Sequence, residues 1–328
     1  MSASLSEAEI IETMRAIMNG EMAEDDMAAF LVELAERGET TEEITGAAKV
    51  MREKALSIKA PDDAVDCCGT GGDHSGTYNI STAVALVSAA CGVPVAKHGN
   101  RAASSKSGAA DVLEALGINL DVPVEKLEEA LTKFNFAFLM APKHHSAMKL
   151  VVPVRKKLGR RTIFNLLGPL ANPAGTKFQL IGVFDSKWLV PMAQTLSKLG
   201  TKRAWVVHGS DGLDEITTTG PTKIAVLENG EVSEKEITPD DFGLPIAKPE
   251  DLKGGDAQEN AMALKSLLEG EQSAYRDIVL ANTAAVLVIH GSATDLKDGV
   301  AKAAQAIDSE LALHLLYGYV AFTQEYGS

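Results

Sequence analysis

The sequence predicts an α/β fold: a small N-terminal all-helical domain plus a larger α/β domain with a mostly parallel central sheet flanked by helices. Three observations carry this. The first 57 residues hold helix signals only. From Pro61 onward, short apolar strands alternate with helices over short connections, a rhythm that sets parallel strands between helical layers. Asn229-Gly230, the strongest two-residue hairpin signal, stands between two strand patterns and marks one antiparallel pair.

The elements follow in order. Ser6 and Glu9 form a capping-box pattern, and Gly20 closes the helix that follows. A second helix, about 26–37, ends at Gly38, and a third begins near Thr40 and runs to about 57. Phe30, Leu31 and Leu34, then Ile44, Ala48 and Met51, recur at helical period, so these helices bury one face. Beyond Pro61 the expected strands are 64–68, 93–96, 137–140, 180–184 and 204–208, with a hairpin of 224–227 and 232–237. The expected helices are 81–91, 107–116, 125–134, 147–158 and 187–199. A loop rich in Asp, Pro and Gly covers 238–255, and two long helices, 275–289 and 296–323, finish the chain.

Composition narrows the function classes. At 45% hydrophobic and 23% charged, the chain is not disordered, and 328 residues suggest two domains. Thirty-one basic and 45 acidic side chains give −14, which speaks against a broad nucleic-acid-binding surface. A local basic pocket for an anion stays compatible with that number. Three cysteines, Cys67, Cys68 and Cys91, are too few for a disulfide framework and lack the partners of a structural zinc site. The N-terminus has no basic region before an apolar core, and the most apolar stretch, 278–290, is too short to span a bilayer. The expectation is a cytoplasmic protein with no nucleic-acid or membrane partner.

Ligands of such sheets sit at the carboxyl ends of the strands. Four segments occupy such ends. In the first, Gly69, Gly71 and Gly72 let backbone amides approach an anion, and Asn79, Ser81 and Thr82 stand at the start of the next helix. The residues suit a phosphate cradle, though neither P-loop nor dinucleotide spacing is present. In the second, Lys97, His98, Asn100, Arg101, Ser104, Ser105, Lys106 and Ser107 concentrate cations and hydroxyls suited to clamping a polyanion. In the third, His144 and His145 precede Arg155 at a spacing that lets one helix present His145 and Arg155 on one face. Tandem histidines without a third ligand are a weak metal signal, whereas Arg155 is a natural carboxylate fork. In the fourth, 208–215, Asp214 and Glu215 suit a hard cation that completes its shell with phosphate oxygens.

Gly69-Thr-Gly-Gly-Asp73, Asn79-x-Ser-Thr82, Lys97-His-Gly-Asn-Arg101 and Arg161-Thr-Ile-Phe-Asn-Leu-Leu-Gly-Pro-Leu170 together resemble the signature set of the anthranilate phosphoribosyltransferases, and 208–215 is similar to that family's acidic metal motif. The matches run in order from about 66 to 220, and several long motifs in order are far more specific than any one alone. The resemblance implies a nucleoside-phosphorylase-like fold, homodimeric through the helical domain. It implies transfer of the phosphoribosyl group of 5-phosphoribosyl-1-pyrophosphate to the amine of anthranilate, the second step of tryptophan biosynthesis from chorismate. It divides the chain into a helical domain, 1–62, completed by helices within 146–172, and an α/β domain, 63–328.

By the same resemblance, Gly69, Thr70, Gly71, Gly72, Asp73, Thr77, Asn79, Ser81, Thr82, Lys97, Ser105, Lys106 and Ser107 would hold the phosphoribosyl pyrophosphate. Gly69, His98, Asn100, His145, Arg155, Gly168 and Pro169 would line the anthranilate path, and Ser81, Asp214 and Glu215 would bind two Mg²⁺ ions. No covalent nucleophile is implied; Lys97, Asn100 and Arg155 would position the reactants. The sequence departs from the family pattern at Cys67-Cys68, expected as buried strand residues, at His74, where Gly is common, and at Ala102-Ala103, which thins the hydroxyls. The competing functions are a pyrimidine nucleoside phosphorylase and a non-catalytic, nucleic-acid-binding relative of the same fold. The Asp214-Glu215 pair and the Asn100 loop oppose the first, and the acidic charge opposes the second.

Overall fold

The computed structural model describes residues 4–102 and 106–326. Helices α1 (Glu7–Asn19), α2 (Glu24–Arg37) and α3 (Thr41–Lys54) open the chain. Ser6 with Glu9, and Thr40 with Glu43, close reciprocal capping boxes, and Gly20 takes the left-handed φ of 77° that ends α1. Glu43 does more than cap. It is fully buried, accepts the Leu5 amide at 2.8 Å, and pairs with Arg37 at 2.5 Å, so one carboxylate ties three segments together.

The rest alternates as β1 (Val65–Gly69), α4 (Ile80–Ala90), β2 (Val95–Gly99), α5 (Ala109–Ala115), α6 (Val124–Phe134) and β3 (Phe136–Met140). Then come α7 (Ala141–His144), α8 (Val152–Leu158), α9 (Phe164–Leu170), β4 (Phe178–Gly182), α10 (Leu189–Lys198) and β5 (Arg203–Gly209). The hairpin β6 (Thr222–Glu228) and β7 (Glu231–Ile237), α11 (Pro239–Phe242), α12 (Ala257–Leu268), α13 (Ala274–His290), α14 (Leu296–Asp308) and α15 (Leu311–Gln324) complete the chain.

Four expectations change, the first being that the loop expected over 238–255 carries the short helix α11 and a 3-10 turn, Pro249–Leu252. The helix expected over 147–158 is a 3-10 turn, Ser146–Leu150, followed by α8, because Pro153 lacks the amide to continue a helix across that point. The single helix expected over 296–323 is two, since Glu310 adopts a left-handed φ of 60° between them. The stretch after Asp256, given no element from sequence, is α12; Asp256 caps it by accepting the Gln258 and Glu259 amides at 2.9 and 3.0 Å.

The sheet order is β3-β2-β1-β4-β5-β6-β7. The first five strands are parallel, and β6 and β7 add antiparallel to the edge. Strand β1 lies between β2 and β4, so the winding reverses there and a crevice opens at the carboxyl ends of β1 and β4. Two apolar cores flank the sheet. One joins β1–β3 to α4, α13 and α15. The other runs unbroken from α1–α3 through α8 and α9 to α10 and the opposite face of β4–β6. The helical bundle thus stands on the sheet through a shared core, with the crevice between. Along β7, Glu231, Glu234, Lys235 and Glu236 are exposed.

Candidate active site

A cavity of about 1160 Å³ fills the crevice. Its floor is the turn at the end of β1. Gly71 and Gly72 take φ of 70° and 75°, Gly76 takes 64°, and His74 takes 58°, a conformation in which glycine is the unstrained choice. The amides of Gly72, Asp73 and His74 have no partner among the described residues, which suits an anion, whereas those of Gly71 and Ser75 already donate to Asp214 Oδ2 and Asp73 Oδ1. Thr70 fixes the turn to the neighbouring strand: its amide donates to Gly182 O at 2.9 Å and its hydroxyl accepts the Phe184 amide at 3.1 Å. Cys67 is buried, and Cys68 is half-buried in the same strand.

Lys97 rises from β2 and is 1% exposed. Its ammonium donates to Cys67 O at 2.7 Å and to Ser81 Oγ at 3.2 Å. Lys97 and Ser81 both favour the ionised form of Glu215, against its burial. Behind Lys97 lies Asp66, fully buried, accepting the Asn172 amide at 2.7 Å and the His98 backbone amide at 3.2 Å. Burial pushes the Asp66 carboxyl up, and Lys97 opposes that.

Asp214 and Glu215 cross the ends of β1 and β4. The Gly71 amide donates to Asp214 Oδ2 at 2.7 Å. Burial pushes the Asp214 carboxyl up, and Asp73 beside it adds to the effect; burial and then Asp214 do the same for Glu215. Two carboxylates that resist ionisation beside a single ammonium leave an electrostatic place for a cation. Among the described residues no three or more His, Cys, Asp or Glu form a metal-holding group, so an ion there must draw further ligands from substrate and water. His208 and Asp211 belong to the scaffold instead. His208 Nδ1 bonds Val183 O at 2.8 Å, and Asp211 accepts the hydroxyls of Thr217 and Thr219 at 2.6 and 2.7 Å.

At the other end of the cavity His98 and His145 stand with ring centroids 5.2 Å apart. His98 Nδ1 is 3.0 Å from Gly168 O, and the Ala171 backbone holds the His145 ring. A carbonyl only accepts, so Nδ1 carries the proton on His98. The Nε2 atoms of both rings are closed off from solvent and have no partner among the described residues. Burial lowers both imidazoles, to about 3 for His98 and about 4 for His145, so both are neutral at ordinary pH. Arg155 lies over the Phe164 ring at 5.7 Å, is pushed down by burial, and has no carboxylate partner among the described residues. Asn165 Oδ1 accepts from Arg155 at 3.4 Å and from the Thr162 amide at 3.0 Å.

The cavity therefore brings together Gly69, Thr70, Gly71, Gly72, Asp73, Thr77, Asn79, Ser81, Lys97, His98, Asn100, Lys106, Ser107, His145, Arg155, Gly168, Pro169, Asp214 and Glu215. Two named residues stay outside it. Thr82, 1% exposed, lies inside the first turn of α4 and does not line the cavity, a correction to its expected place in the phosphate cradle. His144 also turns away, its Nδ1 bonded to Leu56 O at 2.7 Å, so the tandem histidines do not act together. His145 and Arg155 reach the cavity from separate segments rather than from one helix face. Ser104, Ser105 and Ala103 lie outside the described residues. Lys253 and Asn260, which no sequence pattern singled out, also line the cavity, as does Asn165, which lies in the 161–170 motif but was given no role there; Lys253 donates to Ser75 O.

Residues 61–313 match the family model of the glycosyl transferase family a/b domain, and 2–55 that of the glycosyl transferase family helical bundle domain. An anthranilate phosphoribosyltransferase of Rhodospirillum rubrum is 59% identical over 97% of this chain and 91% of its own length. One of Azospirillum brasilense is 58% identical over 98% and 90%. The crystal structure of the anthranilate phosphoribosyltransferase of Thermus thermophilus superposes with a TM-score of 0.94 at 45% identity, over 98% of this chain and 97% of that one. The Saccharomyces cerevisiae enzyme in complex with PRPP and Mg superposes with a TM-score of 0.89 at 26% identity, over 98% and 94%.

Proposed function

This chain belongs to the anthranilate phosphoribosyltransferase family, and we propose that the crevice between its helical bundle and sheet is where 5-phosphoribosyl-1-pyrophosphate and anthranilate meet. The observation that carries the reading is the polarity of one cavity. Its glycine turn and Lys97 face one end. Two neutral histidines face the other, with an arginine that has no acidic partner among the described residues. A polyanion and a carboxylated aromatic amine fit those ends.

The turn amides, Lys97, Asn79, Lys106 and Ser107 would hold the phosphates, and Arg155 would fork the anthranilate carboxylate. The pair of buried Asp214 and half-buried Glu215, with Ser81, fits Mg²⁺ arriving with the pyrophosphate, and the family resemblance suggests two ions. When bound, Mg²⁺ offsets negative charge on the leaving pyrophosphate. Lys97 and the turn amides act on the same charge as the C1–O bond breaks. The anthranilate nitrogen forms the new C1–N bond from the opposite face and then loses a proton. The neutral His98 and His145 side chains, which line the cavity, would pack on the aromatic ring and help aim the amine's lone pair at C1. No covalent nucleophile takes part.

A homodimer through the helical bundle follows the family resemblance; Leu56, Leu150 and Val152 on that lobe are 54%, 36% and 51% exposed. Light scattering tests it. No described helix is long and apolar enough to cross a membrane, and a cytoplasmic location suits a biosynthetic enzyme. The deciding experiment follows anthranilate fluorescence in the presence of phosphoribosyl pyrophosphate and Mg²⁺. Loss of fluorescence that requires both, and that falls sharply in an Asp214→Asn, Glu215→Gln variant, is the expected result. Constant fluorescence with phosphorolysis of a pyrimidine nucleoside overturns it.

A further inference from the structure

Residues 252–260 take no part in the chemistry above, yet they brace the phosphate side of the cavity. Leu252 O accepts the Tyr78 amide at 3.1 Å, Thr77 bridges Lys253, and the Gly254 amide donates to Gly76 O at 3.0 Å. The approach is close: a methyl group on Gly254 would lie 2.7 Å from both Thr77 O and Asn260 Oδ1. Asn260, in the first turn of α12 and 2% exposed, completes the brace. Its Oδ1 accepts the Gly255 amide at 2.8 Å, and its Nδ2 donates to Asn79 Oδ1 at 2.8 Å. Asn79 Nδ2 then donates to Ser107 O at 3.2 Å.

This chain of amides has a fixed direction. A backbone N–H at Gly255 only donates, so Asn260 must meet it with oxygen and must offer nitrogen to Asn79. Asn79 then meets Asn260 with oxygen and turns its nitrogen toward Ser107, whose carbonyl only accepts. Both ends agree. Asn79 Nδ2 carries two protons, and Ser107 O takes one.

We propose that Asn260 is a positioning residue of the phosphoribosyl pyrophosphate site: it locks the Asn79 amide so that its second N–H faces the cavity for an anionic oxygen of the substrate. This rests on the reading of the cavity given above. Asn260 acts through Asn79.

Asn260→Asp keeps the acceptor for Gly255 but sets a carboxylate against Asn79 Oδ1, which Ser107 Oγ also reaches at 3.3 Å, so the Asn79 amide loses its fixed direction toward the phosphates. The KM for phosphoribosyl pyrophosphate should rise about tenfold or more, as for a lost hydrogen bond to a charged group, with that for anthranilate unchanged within about twofold. Asn79→Ala should show a similar rise, and the double variant should be no worse than Asn79→Ala alone. Parallel rises in both KM values, or full additivity in the double variant, overturn the assignment in favour of general loosening. Should Asn260→Asp not fold, the wild-type ¹⁵N side-chain spectrum decides. Pyrophosphate should shift the Asn79 Nδ2 resonances, identified by their loss in Asn79→Ala, and unmoved resonances refute it. Wild-type turnover is read in the same series: its absence removes the transferase reading, whereas turnover with an unchanged KM in Asn260→Asp removes only this role.

Discussion

Gly182 and Asp214 meet backbone to backbone: a methyl group on Gly182 would lie 1.5 Å from the Asp214 carbonyl oxygen. Gly69, the register partner of Gly182, is also close, to the side chain: a methyl group there would lie 2.2 Å from Asp214 Oδ2. Two adjacent parallel strands thus end in glycine at a saddle that seats the acidic turn.

Gly182→Ala should therefore act on the metal end of the site. The backbone cannot yield as a flexible side chain can, so overpacking should cost about 1–3 kcal/mol of stability. Displacement of Asp214 by even an ångström should lower turnover about a hundredfold. Urea unfolding and the Mg²⁺ dependence of turnover check this; a wild-type Mg²⁺ response would show that the turn does not need the saddle.

Arg155→Ala should raise the KM for anthranilate by about ten- to a hundredfold, the loss of a charged fork, while leaving that for phosphoribosyl pyrophosphate nearly unchanged. The expectation follows from a half-buried guanidinium with no acidic partner among the described residues. Equal rises in both KM values would detach Arg155 from the carboxylate.

Lys97→Met should remove activity and also stability. Lys97 is the buried cation whose charge opposes the upward push on fully buried Asp66, and its ammonium donates to Cys67 O, so its removal should cost about 1–3 kcal/mol. A second change, Asp66→Asn, should restore much of the stability and none of the activity. Recovery of turnover in the double variant would mean that Lys97 serves the fold alone.

The two histidines give a pH dependence of known sign. Their folded pKa values, about 3 and about 4, lie below the ordinary histidine value near 6.5. Between these limits the unfolded chain binds more protons, so their contribution is complete above about pH 6.5 and is lost as pH falls. Each adds a slope approaching about 1.4 kcal/mol per pH unit within its window. Asp66, Asp214 and Glu215 are shifted upward and tilt the curve the opposite way, so the measurable quantity is a difference. His98→Asn, His145→Asn should unfold in urea with a shallower loss between pH 6.5 and 4.5 than the wild type, the window expected from their values; parallel curves would mean that the rings charge freely.

Strand order in the chain and the glycine turn were legible because periodicity and glycine spacing are local. The helix boundaries at Pro153 and Glu310 were harder. Val152-Pro-Val-Arg keeps an apolar helical pattern across a residue that cannot donate, and Glu310 enters the left-handed region without being glycine. Of the site, residues inside long motifs were legible and those acting across the fold were not. Asn260 looks like an ordinary polar position of a helix; only its meeting with Asn79, 181 residues away, gives it meaning. Thr82 erred in the other direction: its motif placed it beside Ser81, but a helix turns successive side chains by about 100°, and it turned inward.

The hairpin at the sheet's edge has a consequence for handling the protein at high concentration. The outer rim of β7 offers unpaired backbone groups, the template from which sheets grow between molecules. Glu231, Glu234, Lys235 and Glu236 crowd that rim. A second copy docking strand to strand would have to bury these charges, several of one sign, so the rim is guarded against end-to-end stacking. Neutralising the three glutamates together should turn a well-behaved solution into one that scatters light on storage while leaving the distant crevice intact.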